Sequence, residues 1–496
     1  MELSEFASVV DENVNRHVFQ LSPAQLGVWF AQQRFPKVPI CVAAYADIRG
    51  PIDAALLRRA TEEAYEECDA ASLRLGESKG IPHQWVDKGN EFSAVEIDFS
   101  DCLDPTADAL AWMRNDYQTP WDTSSGSLVK IALLRIESDR YFWYRRAHHV
   151  ILDGYGAGVL SNRIAERYRA ALAGEEVVPF RGKGQADLVD DEQKYEKSNR
   201  FAADREYWAE IGKKLVPTSL AGRSAEPSAT CHVAKQALDP AVADLLNGIA
   251  ENYNSSLAVL LMSAFTAYLS KLVDRESVAV GMAVTARPTA IARNSGGQLA
   301  NIVPLHAEVG AAMTFAELTN DIRAAVTGAL RHQRYRREYI QRGIAGASDI
   351  GTVFGPLVNI MLFDQDLNFG SAIGTAHRLS SGIVDDLSIH LYYGDDGCVQ
   401  IEFEANPALY SEADVRGHGS RFVSFLSRLS VAVTADPSTP IGAVDVLDET
   451  ELRDLETLEN RAVLAADVAS VSVPELFAVQ VARTPDAVAV VFEDRS

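Results

Sequence analysis

The sequence predicts an α/β protein, and three observations carry that prediction. Runs rich in β-branched and aromatic residues alternate with stretches whose apolar residues recur at helical spacing. The alternation restarts in the second half of the chain. A length of 496 residues, with 47% hydrophobic and 23% charged residues, fits a globular chain of two or three domains.

In the first half, residues 1–19 read as a flexible lead. Ser22 and Pro23 then supply an N-cap and a first-turn proline for a helix through Phe30. Ala43–Ile48 reads as a short strand, and Asp53–Glu67 as a helix with Leu56, Leu57, Ala60 and Ala64 on one side. Arg140–Ala147, rich in Tyr, Phe and Trp, is strand-like. Gly156–Gly174 carries Val159, Leu160, Ile164, Tyr168 and Leu172 at helical spacing. Residues 180–215 are strongly charged and read as an exposed connector, with Trp208 packing one helix onto the body.

In the second half, Ala241–Tyr253 and Leu257–Asp274 read as helices, Ser277–Val284 as a buried strand and Thr314–Ala329 as an amphipathic helix. Phe354–Met361 is a Gly-Pro turn entering a strand. Gly394–Gly397 joins Asp386–Tyr393 to Cys398–Glu404 as a hairpin, and Ser411–Ala435 is the last helix of the body.

The net charge of −23 argues against nucleic acid as a partner, because neutralising phosphates needs a basic surface. Five scattered cysteines without a CxxC pair fit a reducing, cytoplasmic setting and suggest neither a disulfide scaffold nor a zinc site. The acidic N-terminus lacks the apolar core of a signal peptide. The most apolar run, Leu257–Val273, is short for a membrane span and reads as a buried helix, so no membrane partner is expected.

The stretch with the chemistry is His148-His149-Val150-Ile151-Leu152-Asp153-Gly154, placed on the connection from a strand to a helix. Neighbouring residues of extended backbone point to opposite sides, so one histidine is reactive and the other structural. Asp153 is placed to turn back onto a cation, and Gly154 lets another group approach closely. Residue types alone leave two other readings open. The histidines can be ordinary core or surface residues, or His-His…Asp can supply metal ligands, though only one histidine can face an ion and no HExxH or Cys/His cluster accompanies them.

This stretch resembles the HHxxxDG signature of the condensation domains of nonribosomal peptide synthetases, relatives of chloramphenicol acetyltransferase. Further motifs of that family follow in order. Ser22–Trp29 is similar to SxAQxxLW, with Val28 in place of Leu, and Ser72–Leu75 to the end of RHExLRTxF. The Arg-His of the latter is absent, so another group must brace the motif Asp. Trp208 in REYWAE, Ala286-Arg287-Pro288, Asn301–Leu305 (NxxPL) and His332-Gln333 continue the series. Arg287 is the expected partner of Asp153, since a planar guanidinium suits a buried carboxylate. The basic run Arg331–Arg342 reads as a solvated helix face, with docking of an acidic carrier or a phosphopantetheine phosphate as the second reading. Asn359, in FGPLVNIM, resembles an Asn that faces the channel, and Asn368–Val384 a segment that crosses over to latch two lobes.

The resemblance implies two chloramphenicol acetyltransferase-like lobes in a V-shaped pseudo-dimer, each a mixed sheet with flanking helices. It assigns 20–180 to the N-terminal lobe and 181–445 to the C-terminal lobe. Residues 446–470 resemble a linker, and 471–496, within which Val473–Asp494 carries the match, the opening of an adenylation domain. The implied reaction joins the amine of a carrier-bound aminoacyl acceptor to the carbonyl of a carrier-bound acyl, aryl or peptidyl thioester donor. His149 would take or hold the amine proton, and the Gly154 N–H would contact the oxyanion. His148, Asp153 and Arg287 would be structural. No metal or resident cofactor is implied; phosphopantetheine arrives on the carriers.

Ala147 before the motif separates the chain from β-lactam-forming relatives, and the intact His pair from heterocyclising ones. Epimerisation domains share the motif, but an adenylation domain downstream fits condensation. Several stretches, WYRRAHHVILDG among them, resemble a siderophore-building serine module whose aryl donor sits on a separate carrier. Because the chain opens near its first motif, its donor carrier is expected on another polypeptide, with adenylation and carrier domains downstream. Two other readings are a noncatalytic recruitment domain of the same fold and a free-standing acyltransferase to a small alcohol or amine.

Overall fold

The computed structural model describes residues 10–11, 16–69, 72–88, 93–123, 126–344, 354–362, 367–394, 397–458 and 472–488. They fall into two compact units, 1–446 and 447–496.

The first unit opens with strands β1 (Val10–Asp11) and β2 (Arg16–Gln20). The stretch read as a flexible lead thus already contributes a strand, because Val18–Gln20 pair with His83–Trp85 in a small antiparallel sheet. Helix α1 (Pro23–Arg34) starts on a capping box: Ser22 Oγ accepts from Gln25 N, and Gln25 Oε1 accepts from Ser22 N at 2.9 Å. After β3 (Cys41–Arg49), Asp53 caps α2 (Ala54–Glu67). The hairpin β4 (Leu73–Ser78) and β5 (Ile81–Val86) completes the small sheet, in the order β1-β2-β5-β4. β6 (Val95–Asp98), α3 (Pro105–Tyr117), β7 (Val129–Glu137), β8 (Arg140–His148) and α4 (Gly154–Ala173) complete the N-terminal lobe. β8 is central and buried on both faces. Tyr141, Trp143 and Ala147 pack with α2 and α4, whereas Phe142 and Tyr144 pack with α3.

The expected connector is α5 (Gln185–Glu196) and α6 (Asn199–Gly212), and it is less exposed than its charge suggests. Trp208 is 2% exposed and donates Nε1–H to His332 O at 2.9 Å. The second half then runs β9 (His232–Ala237), α7 (Pro240–Asn252), α8 (Leu257–Val273), β10 (Ser277–Val284), the short α9 (Ala290–Asn294), β11 (Asn301–Glu308), α10 (Phe315–Arg331) and α11 (Arg337–Gly343). Every residue of α8 from Leu260 to Ser270 is buried, which is why it is apolar all round. No single helix among the described residues is long and apolar enough to cross a membrane.

Strands β12 (Leu357–Met361), β13 (Asn368–Phe369), β14 (Ala372–Ser381), β15 (Leu387–Tyr393) and β16 (Val399–Ala405) lead to α12 (Glu412–Ala435). The C-terminal sheet has the order β11-β10-β12-β15-β16-β9, mixed in direction. β13 and β14 do not join it. They extend the N-terminal sheet, ordered β13-β14-β3-β8-β7-β6, through antiparallel pairing of β14 with β3 from Ile373↔Arg49 to Ser381↔Val42. Residues 368–381, in sequence part of the C-terminal lobe, therefore belong by hydrogen bonding to the N-terminal one. From β14, Arg378 reaches back to β16, pairing with Glu404 at 2.8 Å and with Glu402.

The basic run Arg331–Arg342 corrects its sequence reading as a solvated face, because acidic partners distant in sequence consume it. His332 pairs with Asp204 at 2.7 Å, and Arg334 with Asp191 and Glu192 at 2.9 and 2.8 Å. Arg336 is buried and donates to the carbonyls of Leu299 and Ala300. Arg331 and Arg342 remain exposed.

The second unit contains α13 (Glu449–Leu458) and α14 (Val473–Arg483), the latter capped by a Ser472/Glu475 box and without a buried residue. Residues 489–494 of the adenylation-like stretch lie outside the described residues.

Candidate active site

The two lobes share a cavity of about 1100 Å³, lined by both sheets, α1 and the start of α4. The five residues after β8 carry the HHVILDG loop into it. His149, Asp153, Gly154 and Asn359 line the cavity, whereas His148 and Arg287 lie behind its wall.

The loop separates the two histidines as alternation along extended backbone requires. His148 is 1% exposed. Its Nδ1 accepts from Val150 N at 3.1 Å, so the proton sits on Nε2, which donates to Gln32 Oε1 at 3.0 Å. Burial, with His149 and Arg146 nearby, pulls its pKa down to about 3, and the ring stays neutral. Gln32 accepts readily because its amide hydrogens are spent on Phe35 O and Val38 O. His149 is half-buried and faces the cavity. Its Nδ1 lies 2.9 Å from Gln298 Oε1. A carbonyl-type oxygen only accepts, so Nδ1 carries a hydrogen, and in the neutral ring Nε2 is then the nitrogen with the lone pair. A Cβ on Gly382 would come within 3.0 Å of the His149 ring, and Gly382 has φ +107°, so a glycine both clears the ring and fits the backbone.

Asp153 caps α4, with Oδ1 accepting from Gly156 N at 2.7 Å. Oδ2 accepts from Arg287 Nη1 at 2.8 Å, Leu299 N at 2.8 Å and Ala300 N at 2.7 Å. Burial alone would raise this carboxyl's pKa, but the Arg287 charge and these donors outweigh it and hold the pKa below its ordinary value. Arg287 also donates to Thr285 O and Gly297 O and sits over the Tyr155 ring. The brace missing from the second motif is thus supplied by Arg287 and two backbone amides. Asp153 N donates to Gly297 O at 3.3 Å, and a Cβ on Gly156 would meet Gly297 O at 3.0 Å, so the two lobes touch backbone to backbone here.

Gly154 begins α4 with nothing within 4 Å of where its Cβ would be, and its N–H belongs to the first turn, whose donors lack intrahelical acceptors. Asn359 lies on β12 with Nδ2 3.3 Å from His390 Nδ1. The structure therefore brings His149, Gly154 and Asn359 to one cavity over the Asp153–Arg287 pair. No group of three metal-ligating side chains occurs among the described residues. Gln298 and Gly382 escape the sequence reading: Gln298 lies in no matched motif, Gly382 lies in the latch-like segment Asn368–Val384 without being singled out, and both reach His149 only through the fold.

A family model for the condensation domain matches residues 15–456. The chain belongs to the condensation-domain family. Among relatives, it is 30% identical over 479 residues to the dimodular nonribosomal peptide synthase of Bacillus subtilis (strain 168), covering 96% of this chain and 20% of that protein. It is 31% identical over 477 residues to enterobactin synthase component F of Escherichia coli O157:H7, covering 94% and 36%. The chain thus spans well under half the length of these relatives. A solved structure of the starter condensation domain of rhizomide synthetase RzmA, a mutant in complex with C8-CoA, superposes with a TM-score of 0.80 at 31% identity, covering 86% of this chain and 97% of that one. The α/β architecture of two mixed sheets flanked by helices is that of condensation-domain structures. The family match ends before Val473.

Proposed function

We propose that this chain forms amide bonds between two carrier-bound substrates, an acyl, aryl or peptidyl thioester donor and an aminoacyl acceptor. The observation that carries the reading is His149: a ring half-open to a cavity shared by two lobes, fixed in one tautomer by Gln298 and set on a loop tied down by Asp153 and Arg287. The acceptor's nitrogen attacks the thioester carbonyl carbon, and His149 Nε2 receives the proton it sheds. As the tetrahedral intermediate collapses, the C–S bond breaks, and the proton passes to the departing thiolate. The Gly154 N–H, at the positive end of α4, favours the oxyanion. A thioester is already activated, so holding two tethered reactants together supplies much of the acceleration. Asn359 lines the channel, and His148 fixes the loop from behind.

The wider setting belongs to the same proposal. Residues 20–180 and 181–445 act as the two lobes, 446–470 as a linker, and 471–496 as the opening of an adenylation domain, with a carrier further downstream. A donor carrier on a separate chain delivers its substrate by phosphopantetheine in the cytoplasm. The likeness to the starter condensation domain of RzmA, a mutant of which is solved in complex with C8-CoA, supports an acyl donor. The intact His pair disfavours a purely recruiting domain.

Intact-protein mass spectrometry tests the reading. The protein is mixed with an acyl-loaded donor carrier and an aminoacyl-loaded acceptor carrier, beside a His149→Ala variant. Transfer of the acyl mass to the acceptor, at least a hundredfold slower in the variant, is expected. Equal transfer by both proteins would reduce His149 to a bystander, and carrier binding without transfer would leave a recruiting domain.

A further inference from the structure

Five arginines are buried among the described residues: Arg145, Arg146, Arg163, Arg287 and Arg336. Four have oxygen partners that match a cation. Arg146, Arg163 and Arg287 pair with Asp116, Glu67 and Asp153, and Arg336 holds two backbone carbonyls. Arg145 is different. It is 8% exposed, its Nη1 meets only the Ser161 hydroxyl, and its guanidinium lies 4.3 Å above the Trp143 ring. Its Nε, like those of Arg146, Arg287 and Arg336, has no partner; what sets Arg145 apart is that neither a carboxylate nor a backbone carbonyl among the described residues pairs with it. Tyr65 lies close enough to feel its charge, but burial pushes that phenol's pKa up, so the ring supplies no anion. An arginine keeps its proton in proteins, so a full positive charge stands here without a counter-charge.

This cation is not sealed into the core. Arg145, Tyr65 and Ser161 line the cavity that holds His149, together with the small residues Ala24, Ala157 and Gly158. Small side chains leave room for a ligand to lie between β8 and α4. Ser161 is seven residues beyond Gly154 on α4, which places it about 10 Å down the helix from the oxyanion contact. An extended chain advances about 1.2 Å per bond, so roughly eight bonds separate the reacting carbonyl from a group resting at Arg145.

We propose that Arg145 selects the donor, receiving a carboxylate at the far end of an acyl chain of about eight carbons. The inference rests on the condensation reading, which supplies the place of the reacting carbonyl. The acyl chain fills the groove of small residues, and its terminal oxygens complete the hydrogen bonding that Arg145 lacks. An unadorned fatty acyl chain would instead bring methyl groups against a buried charge.

The test separates binding from turnover. Unreactive amide analogues of octanoyl-pantetheine and of its ω-carboxy counterpart are titrated calorimetrically into the full chain, wild type, Arg145→Met and Arg145→Lys. Expected is at least tenfold tighter binding of the ω-carboxy analogue by the wild type, reversal of that order in Arg145→Met, and its retention in Arg145→Lys. The wild-type ratio decides even where a variant does not fold. Equal binding of the two analogues, preference for the plain chain, or no measurable binding of either by the wild type would overturn the proposal and leave Arg145 a bracket for α4. Carrier-loaded donors are then assayed for amide formation. Selective binding without amide would sink the condensation reading and leave the assignment of Arg145 standing.

Discussion

Gln298 Oε1 lies 2.9 Å from His149 Nδ1, a contact from one lobe of the protein to the other. It sets which ring nitrogen is free to take a proton, so Gln298 is a positioning residue whose loss should appear in the chemistry. Gln298→Leu is expected to lower kcat by about 10- to 100-fold with KM nearly unchanged. Gln298→Glu, which keeps an oxygen acceptor, should retain most of the rate but shift the acid limb of the pH–rate profile upward. Single-turnover rates against pH decide; an unchanged profile in both variants would assign Gln298 to packing alone.

The Asp153–Arg287 pair is expected to matter for stability first. Asp153→Ala leaves a buried guanidinium without its anion and should cost about 3–5 kcal/mol in urea unfolding. Arg287→Met should cost a similar amount. The double variant should fall well short of the sum, since both remove one interaction. Additive losses would mean that the two residues act independently.

At Gly382 the expectation is the reverse. Gly382→Ala strains a backbone at φ +107° by about 1 kcal/mol and drives a methyl group into the His149 ring. Activity should drop at least tenfold while the melting temperature falls only a few degrees. Full activity in this variant would show that the ring has room to spare.

His148 predicts a pH effect on folding. Its folded pKa, about 3, is below the ordinary value of 6.5, so the unfolded chain binds the extra proton between those limits. Its contribution is therefore complete above pH 6.5 and is lost as the pH falls toward 3, amounting at most to on the order of 5 kcal/mol. Denaturation midpoints from pH 7 to 4 should fall less steeply in His148→Gln than in the wild type. Parallel curves would remove His148 from the account of acid stability.

How much of this was legible in the sequence depended on how locally each feature is determined. α1, α2 and α8 were readable because caps and apolar spacing act within a few residues. The HHVILDG stretch marked His149 and Asp153, and the resemblance supplied Arg287 as a partner 134 residues away. Gln298 was invisible, since an amide in a Gly-rich loop carries no local sign that it will meet a histidine 149 residues earlier. Arg145 and Arg146 are equivalent as neighbours in a strand; only alternation about β8, with Asp116 on one face and Ser161 on the other, makes one paired and the other not. The Arg331–Arg342 run misled because a charge run read alone omits Asp191, Glu192 and Asp204.

Strand β14 has a consequence for how the protein is made. On the ribosome, β3 emerges more than three hundred residues before the strand that covers its free side, as the pairing of Val42 with Ser381 shows. Throughout that interval the N-terminal sheet ends in a bare row of amide and carbonyl groups, open to any other extended chain. All residues through Ser381 must be synthesised before that edge closes, so a nascent chain stalled short of Ser381 is the form most exposed to mispairing and to chaperone capture.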